Sequence, residues 1–301
     1  MFNVEHFVDF CNSNAIEYSR DYSLKDKNTY KTGGNAKLII FPNSLQKVKS
    51  AVEYFKENGV EYSVLGAGSN LLISDSGYDG VVLSTQKLKG ISVNGNLVTC
   101  LAGERVSDFL KQALYSSLGG VEFLSGIPAT VGGIVTMNAG CFGKNVGDYV
   151  SYVVSASGIY GFGDCDFGYR TSRFKREKDV VVSVCFNLEN VEYEQSESKT
   201  EYFLKLRKNK QPKGRSCGSV FKNDGYYAGK VIESCNLKGF RIGTAKISER
   251  HANFILADQN AKSSDISRLI NHVKSTVKQK CGIILQEEIE YLGKFEDEDN
   301  A

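Results

Sequence analysis

Two domains built of helices and short strands are what this sequence predicts, on three observations. The chain has 301 residues, more than one hydrophobic core of ordinary size serves. A strand–helix–strand pattern near the start stays local and gives way to short apolar runs punctuated by glycine. A strong amphipathic helix then follows late in the chain.

The elements follow in order. Residues 4–18 read as a short amphipathic helix with Val4, Phe7, Val8 and Cys11 on one face. Thr29 to Phe41 reads as a turn and then a strand. Ser44 to Asn58 is a helix with Leu45, Val48, Val52 and Phe55 inward, stopped by Gly59. Tyr62 to Leu65 is a short buried strand, followed by the loop GAGSN and a further strand at LLIS. Short strands separated by glycines occupy Leu72 to Ala102. Val106 to Leu118 is a helix, Ser125 to Gly143 is rich in glycine, and strands resume at Val150 to Ala156 and Val180 to Leu188. The polar run Asn190 to Glu201 is weakly patterned and is the expected domain boundary. Beyond it, Asn253 to Leu256 is strand-like. Ser264 to Lys280 is a helix with Ile266, Leu269, Ile270, Val273 and Val277 in one stripe, ended by Gly282. No internal repeat is visible.

Composition narrows the function classes. Apolar content of 41% and charged content of 24% are those of a soluble globular protein. A formal net charge of +2 gives no general signal for nucleic acid. The basic run Lys205 to Lys213, KLRKNKQPK, is local and offset by the acidic end, Phe295 to Asn300. The N-terminus is acidic without an apolar core, and no run approaches the ~20 apolar residues of a membrane span. Eight cysteines without any C-x-x-C spacing read as reduced thiols of a cytoplasmic protein. Three histidines, His6, His251 and His272, have no metal spacing with them, so no metal site is expected.

Several motifs carry candidate chemistry. GRSCGSVFKN, Gly214 to Asn223, follows the basic run and suggests a hydroxyl meeting an anionic ligand. Gly214, Ser216 and Gly218 also spell G-x-S-x-G, but a nucleophile elbow needs a strand before it and a helix after it. Here a proline and a basic loop precede it, and SVFKN looks extended. LGAGSN, Leu65 to Asn70, lacks the third glycine of a dinucleotide fingerprint, since that position is Leu71. It reads either as an anion-binding nest or as a plain turn. The glycines of Ser125 to Gly143 either let backbone pass close to a flat or phosphorylated ligand or form strand turns. Arg170 in FGYRTSRFK can fork onto a carboxylate or phosphate, or sit in a surface ion pair. Glu287 and Glu288 alternate with apolar neighbours. On a strand one of them faces inward, as a candidate acid or charge partner.

Taken together these segments resemble one family. NTYKTGGNA, LGAGSNLLISDSGYDG, GIPATVGGIVTMNAGCFG, FGYRTSRF, KQPKGRSCGSVFKN, AGKVIESCNLKGFRIGTAKISERHANFI and LQEEIEYLG occur in the order found in UDP-N-acetylenolpyruvoylglucosamine reductases. The match runs from about Thr29 to Gly293. The resemblance implies a two-part FAD-binding domain of the vanillyl-alcohol-oxidase (PCMH) type over residues 1–195, its halves meeting near 85–90. A smaller α+β substrate domain covers 196–301, its last strand, about 284–293, reaching the active site.

It further implies FAD, with NADPH as reductant and a UDP-sugar bearing an enolpyruvyl ether as substrate, in peptidoglycan precursor synthesis in the cytoplasm. The family's catalytic positions fall on Arg170, Ser219 (not Ser216) and Glu288, and substrate positions on Tyr169, Lys210 and Asn223. FAD contacts fall on Gly66, Ala67, Gly68, Ser69 and Asn70. Further contacts fall on Ser125, Gly126, Ile127, Pro128, Thr130, Gly132, Gly133, Asn138, Ala139 and Gly140.

Three departures stand out. Ala129 replaces the usual glycine of P-G-T, Asp224 the usual proline after FKN, and Lys31 to Asn35 differ from T-x-x-R-x-G-G-P. The short interval from Arg170 to Ser219 resembles the subtype without a mobile tyrosine loop. In the implied reaction a hydride passes from flavin N5 to the vinyl terminus, and Ser219 gives a proton to the neighbouring carbon. Arg170 and Glu288 act on the substrate carboxylate. Rival readings are another FAD oxidase or dehydrogenase on the same scaffold, or a UDP-sugar binder without activity. Oligomeric state is not legible.

Overall fold

A computed structural model describes residues 3–295. The acidic run beyond Phe295, weighed above against the basic run, lies outside the described residues.

The chain opens with helix α1, Val4–Ser13, which Asn3 caps by accepting from the Glu5 and His6 N–H groups. It ends five residues earlier than its periodicity suggested, because β1, Glu17–Ser23, begins at once. Strand β2, Asn35–Phe41, precedes α2, Leu45–Glu57, whose N-cap is Ser44. Then come β3 (Tyr62–Leu65), β4 (Leu71–Ile73), β5 (Tyr78–Ser84), β6 (Ile91–Asn94) and β7 (Leu97–Leu101). Helix α3, Val106–Tyr115, stops three residues short of Leu118, which opens the two-residue strand β8 (Leu118–Gly119).

The glycine-rich stretch is not a series of strand turns. It holds a short helix, α4 (Val131–Thr136), before β9 (Gly140–Cys141) and β10 (Lys144–Asn145). Strands β11 (Val150–Ser155) and β12 (Ile159–Gly161), helix α5 (Arg173–Arg176), and strands β13 (Val181–Asn187) and β14 (Glu189–Asn190) follow.

Most of the polar run 190–201, with the basic run up to Lys210, is one helix, α6 (Tyr193–Lys210). Its sequence hides it because apolar residues form no stripe: Ser196 is its one buried residue. The later chain adds α7 (Ala228–Ser234), β15 (Arg241–Ile242), β16 (Ala245–Ile247), β17 (Ile255–Ala257), α8 (Ser263–Cys281) and β18 (Glu290–Leu292). Gly282, at φ +68°, ends α8 as its left-handed cap.

One four-stranded sheet has the order β1-β2-β5-β3, with β3 and β5 parallel from Tyr62↔Val81 to Leu65↔Ser84. The mixture of helices with parallel and antiparallel strands is the α+β class expected. Two compact units are present. The first comprises Met1–Ser19, Ile39–Ala67 and Gly80–Arg207. Its five-stranded antiparallel sheet runs β12-β11-β13-β7-β6. Phe109 stacks on Phe186 at 4.6 Å, and Phe7, Tyr54 and Phe55 form a second aromatic cluster.

The second unit comprises Arg20–Leu38, Gly68–Asp79 and Lys208–Ala301. The α8 stripe of Ile266, Leu269, Ile270, Val273 and Val277 is buried with Phe221, Ile232, Ile247 and Leu285 in one core. Burying such a stripe is what holds a single long helix to a three-stranded sheet, here β15-β16-β17. Strand β18 lies parallel to β4, Glu290↔Leu71 to Leu292↔Ile73, so two of the three chain segments of this unit meet in one ladder. Among the described residues no helix is long and apolar enough to cross a membrane.

Candidate active site

In the first unit, four expected segments converge around α4. Gly66 follows β3, and a Cβ there would lie 2.5 Å from Thr130 Oγ1. Thr130 is the N-cap of α4, and its hydroxyl accepts from Gly133 N–H at 3.3 Å. Glycine at 66 is therefore a condition of this close approach. Val131 N–H donates to Glu104 O at 2.8 Å and Gly132 N–H to Ala102 O at 2.9 Å, seating the start of α4 on the β7–α3 turn. Ser125 is buried, and its Oγ has no hydrogen-bond partner among the described residues. A buried hydroxyl left so is costly unless a ligand completes it. Gly126 beside it is exposed at φ +83°, with Ile127 half-buried and Pro128 exposed.

Arg207 on α6 holds this loop. Its Nε donates to Ser125 O at 2.7 Å, and its Nη2 reaches Phe123 O at 3.0 Å and Cys141 Sγ at 2.9 Å. Burial pushes the Cys141 thiol pKa up, and the Arg207 charge partly offsets that. Sequence reasoning saw Arg207 only as part of a charge run.

Arg170 stands at the tip of a tight turn closed by Gly168 N–H to Thr171 O at 3.0 Å and the reverse bond at 3.3 Å. Its backbone is left-handed, φ +56°, an uncommon setting for arginine. Its guanidinium carbon lies 5.3 Å from the Tyr169 ring centroid, and Tyr169 itself is exposed. The turn is tied to the segment after α4. Asn138 Nδ2 donates to Gly168 O at 2.9 Å, Asn138 Oδ1 accepts from Gly147 N–H at 3.0 Å, and Ser172 Oγ donates to Thr136 O at 2.7 Å. Ala139 N–H bonds Ile134 O at 2.7 Å, and Gly140 opens β9. Arg170 and the segment Ser125–Gly140 are thus neighbours by construction.

The second unit assembles the other expected residues. Cys217 is buried, donates to Leu71 O at 3.1 Å, and has its thiol pKa pushed up to about 12 by burial. Val220 N–H donates to Asn253 O at 2.9 Å. Asn253, itself buried, clasps the next residue with both ends of its amide. Phe221 N–H donates to Oδ1 at 2.9 Å, and Nδ2 donates to Phe221 O at 2.8 Å. Half-buried Ser219 therefore lies between two anchored residues, Cys217 and Val220. Asn253 was passed over in the sequence, although the stretch HANF contains it.

Glu288 N–H donates to Val220 O at 2.7 Å, and Asn70 Nδ2 donates to Glu288 O at 3.0 Å. Ser219, Glu288 and Asn70 are thus brought into one cluster from three distant stretches of chain. Both glutamates are half-buried. Glu287 pairs with Lys274 Nζ at 2.6 Å. Gly68, at φ +63°, lies against Asn28, where a Cβ would come within 2.2 Å of Lys27 O. Ala67 and Ser69 flank it, Ser69 half-buried. Asn223 Oδ1 accepts from Ala228 N–H at 2.9 Å at the start of α7. Lys210 is the exposed last residue of α6.

The G-x-S-x-G pattern is not an elbow. Helix α6 precedes it, and the segment after Gly218 is extended, with Lys222 N–H on Gln286 O at 2.8 Å and Phe221 bridged to Glu287. Downstream, His251 accepts from Asn253 N–H at 3.3 Å, a structural bond. No group of three or more His, Cys, Asp or Glu residues able to hold a metal is present among the described residues.

A family model described as "FAD binding domain" matches residues 36–163, and one described as "UDP-N-acetylenolpyruvoylglucosamine reductase, C-terminal domain" matches 210–292. The chain is 38% identical over 299 residues to the UDP-N-acetylenolpyruvoylglucosamine reductase of Caldicellulosiruptor bescii, covering 96% of this chain and 95% of that one. It is 35% identical over 298 residues to the enzyme of that name from Clostridium botulinum, covering 97% of each. The crystal structure of UDP-N-acetylenolpyruvylglucosamine reductase (MurB) from Thermus caldophilus superposes with a TM-score of 0.79 at 31% identity, covering 92% of this chain and 98% of that one.

Proposed function

This chain belongs to the UDP-N-acetylenolpyruvoylglucosamine reductase family, FAD oxidoreductases of peptidoglycan precursor synthesis, and from that premise we propose how its residues divide the work. The reaction is reduction of the enolpyruvyl ether of UDP-N-acetylglucosamine enolpyruvate to UDP-N-acetylmuramate, with NADPH as reductant, in the cytoplasm. Residues 1–195 serve FAD and 196–301 the substrate, in the subtype without a mobile tyrosine loop.

The residues present fit FAD. Gly66 admits close backbone approach, and Ser125 Oγ is a buried donor awaiting an acceptor. Gly66–Asn70 and Ser125–Gly140 would hold it. When bound, FAD supplies the hydride chemistry that links NADPH to the vinyl group.

The observation that carries the residue assignment is the coupling of Ser219 to Glu288, through Glu288 N–H on Val220 O at 2.7 Å. Hydride arrival at the vinyl terminus leaves an electron pair that delocalises into the substrate carboxylate. Arg170 stays charged and can fork onto that carboxylate, lowering the cost of its growing charge. Glu288 acts with Arg170 on the same carboxylate, the guanidinium offsetting the negative charge gathered there. Ser219 Oγ–H gives its proton to the carbon bearing the ether oxygen, and the serine oxygen then recovers a proton from solvent. Serine is a weak acid, so its fixed position matters more than pKa matching. Tyr169, Lys210 and Asn223 bind the sugar nucleotide.

The test is spectroscopic. The purified protein should be yellow, NADPH should bleach it, and the enolpyruvyl sugar should restore the colour. A colourless protein that still binds the sugar nucleotide would leave only the binder.

A further inference from the structure

None of the eight cysteines is joined in a disulfide. Cys100 and Cys185 lie inside the five-stranded sheet, where no oxidant reaches. One pair differs. Cys235 Sγ lies 3.5 Å from Cys281 Sγ, across 46 residues of chain. Cys235 is the C-cap of α7 and is buried, whereas Cys281 is the last residue of α8 and is exposed. Lys280 Nζ donates to Cys235 O at 3.1 Å, so the two helix ends are already pinned together and a positive charge sits beside the sulfurs. A disulfide bond is about 2.05 Å long, so the sulfurs need to close by roughly 1.5 Å. Both residues stand at helix ends, where a small side-chain rotation breaks no helical hydrogen bond.

We infer that Cys235 and Cys281 form a redox-modifiable dithiol that a small-molecule disulfide converts to an intramolecular disulfide. The exposed Cys281 reacts first. Its thiolate attacks one sulfur of the oxidant RSSR, a Cys281–S–SR bond forms, the oxidant's S–S bond breaks, and one RS⁻ leaves. Cys235 then attacks Cys281 Sγ, the Cys235–Cys281 bond forms, and the second RS⁻ leaves. The two protein thiols lose two electrons and two protons, and the oxidant becomes two RSH. Burial pushes the Cys235 thiol pKa up, consistent with its entering second. The bond clamps the end of α8, from which the chain runs directly to Glu287 and Glu288 and on to β18.

The test uses the full-length protein, folded, with oxidised glutathione as the probe. Remaining thiols are then alkylated, and intact mass and peptide maps are taken. The expected result is two alkyl groups fewer than in the reduced, alkylated control, one linked peptide pair joining Cys235 to Cys281, and reversal by dithiothreitol. Closing this loop should also raise Tm by roughly 5–15 °C. Cys281→Ser, a change at an exposed position, should abolish both effects while leaving basal turnover unchanged. A glutathione adduct that persists on Cys281 would overturn the inference. So would full alkylation of both thiols after oxidation, or a linked pair in the oxidised protein that leaves Tm where it was.

Discussion

Replacing Asn253 by alanine tests how the Ser219 segment is held. Asn253 is 2% exposed and makes two buried side-chain hydrogen bonds to Phe221, at 2.9 and 2.8 Å. Alanine leaves the Phe221 N–H and C=O without those partners. Each buried group stranded costs about 1–3 kcal/mol, so the sum is roughly 2–6 kcal/mol. That is a large part of an ordinary stability of about 5–15 kcal/mol. At about 2–4 °C per kcal/mol, Tm should fall by roughly 4–24 °C. The change also frees the backbone two residues after Ser219. A displacement of about 1 Å at the donor is worth ~10²-fold in rate.

Stopped-flow absorbance separates the two half-reactions. NADPH should still bleach the flavin of Asn253→Ala at the normal rate, while reoxidation by the enolpyruvyl sugar slows. Ser219→Ala is the comparison. It should slow the same half-reaction with little change in Tm, because Ser219 is half-buried and makes no side-chain hydrogen bond among the described residues. If Asn253→Ala keeps both its Tm and its reoxidation rate, the clasp does not position the donor and the reasoning fails.

Other predictions bear on single links of the argument. Ser219→Ala should lower turnover ~10²–10⁴-fold without touching flavin reduction by NADPH; equally fast half-reactions would remove its role as proton donor. Ser216→Ala should be mild, and an inactive variant would revive the nucleophile reading. Gly66→Ala places a methyl 2.5 Å from Thr130 Oγ1 and displaces the cap of α4. It should cost about 1 kcal/mol and lower bound flavin per chain, measured by absorbance after gel filtration; unchanged flavin content would count against the Gly66 loop. His251 has its pKa lowered from 6.5, first by burial, so the folded state binds fewer protons than the unfolded one. Stability should therefore fall as pH drops below about 6.5 and level off below the folded-state value. Urea midpoints across that range should be steeper in the wild type than in His251→Asn, and equal slopes would refute the linkage.

Much of this protein was legible in one dimension. Helices α2 and α8 were read to within a residue or two, because each has an apolar stripe, a clear stop, and in α2 a serine cap. These are local signals of periodicity and capping chemistry. The motif order likewise put forward Arg170, Ser219 and Glu288, rather than Ser216, as the residues to test. Helix α6 escaped because its apolar residues, Tyr202 and Leu206 among them, form no continuous stripe along one face. Helix α4 escaped because glycines that suggest turns also permit a short helix to pack closely, with a Cβ on Gly132 only 2.8 Å from that of Ala102.

What the sequence alone supplied was the candidate chemistry: a hydroxyl at Ser219, a guanidinium at Arg170 and a carboxylate at Glu288. Only the tertiary structure decided how they are held. Glu288 reaches the Ser219 strand through one backbone bond to Val220, Asn70 fixes the other side of Glu288, and Asn253 pins Phe221 from yet another stretch. Those bonds join residues far apart in the chain. No periodicity or local propensity encodes such pairings, because they form only when burial of the α8 stripe draws the separate segments into one core.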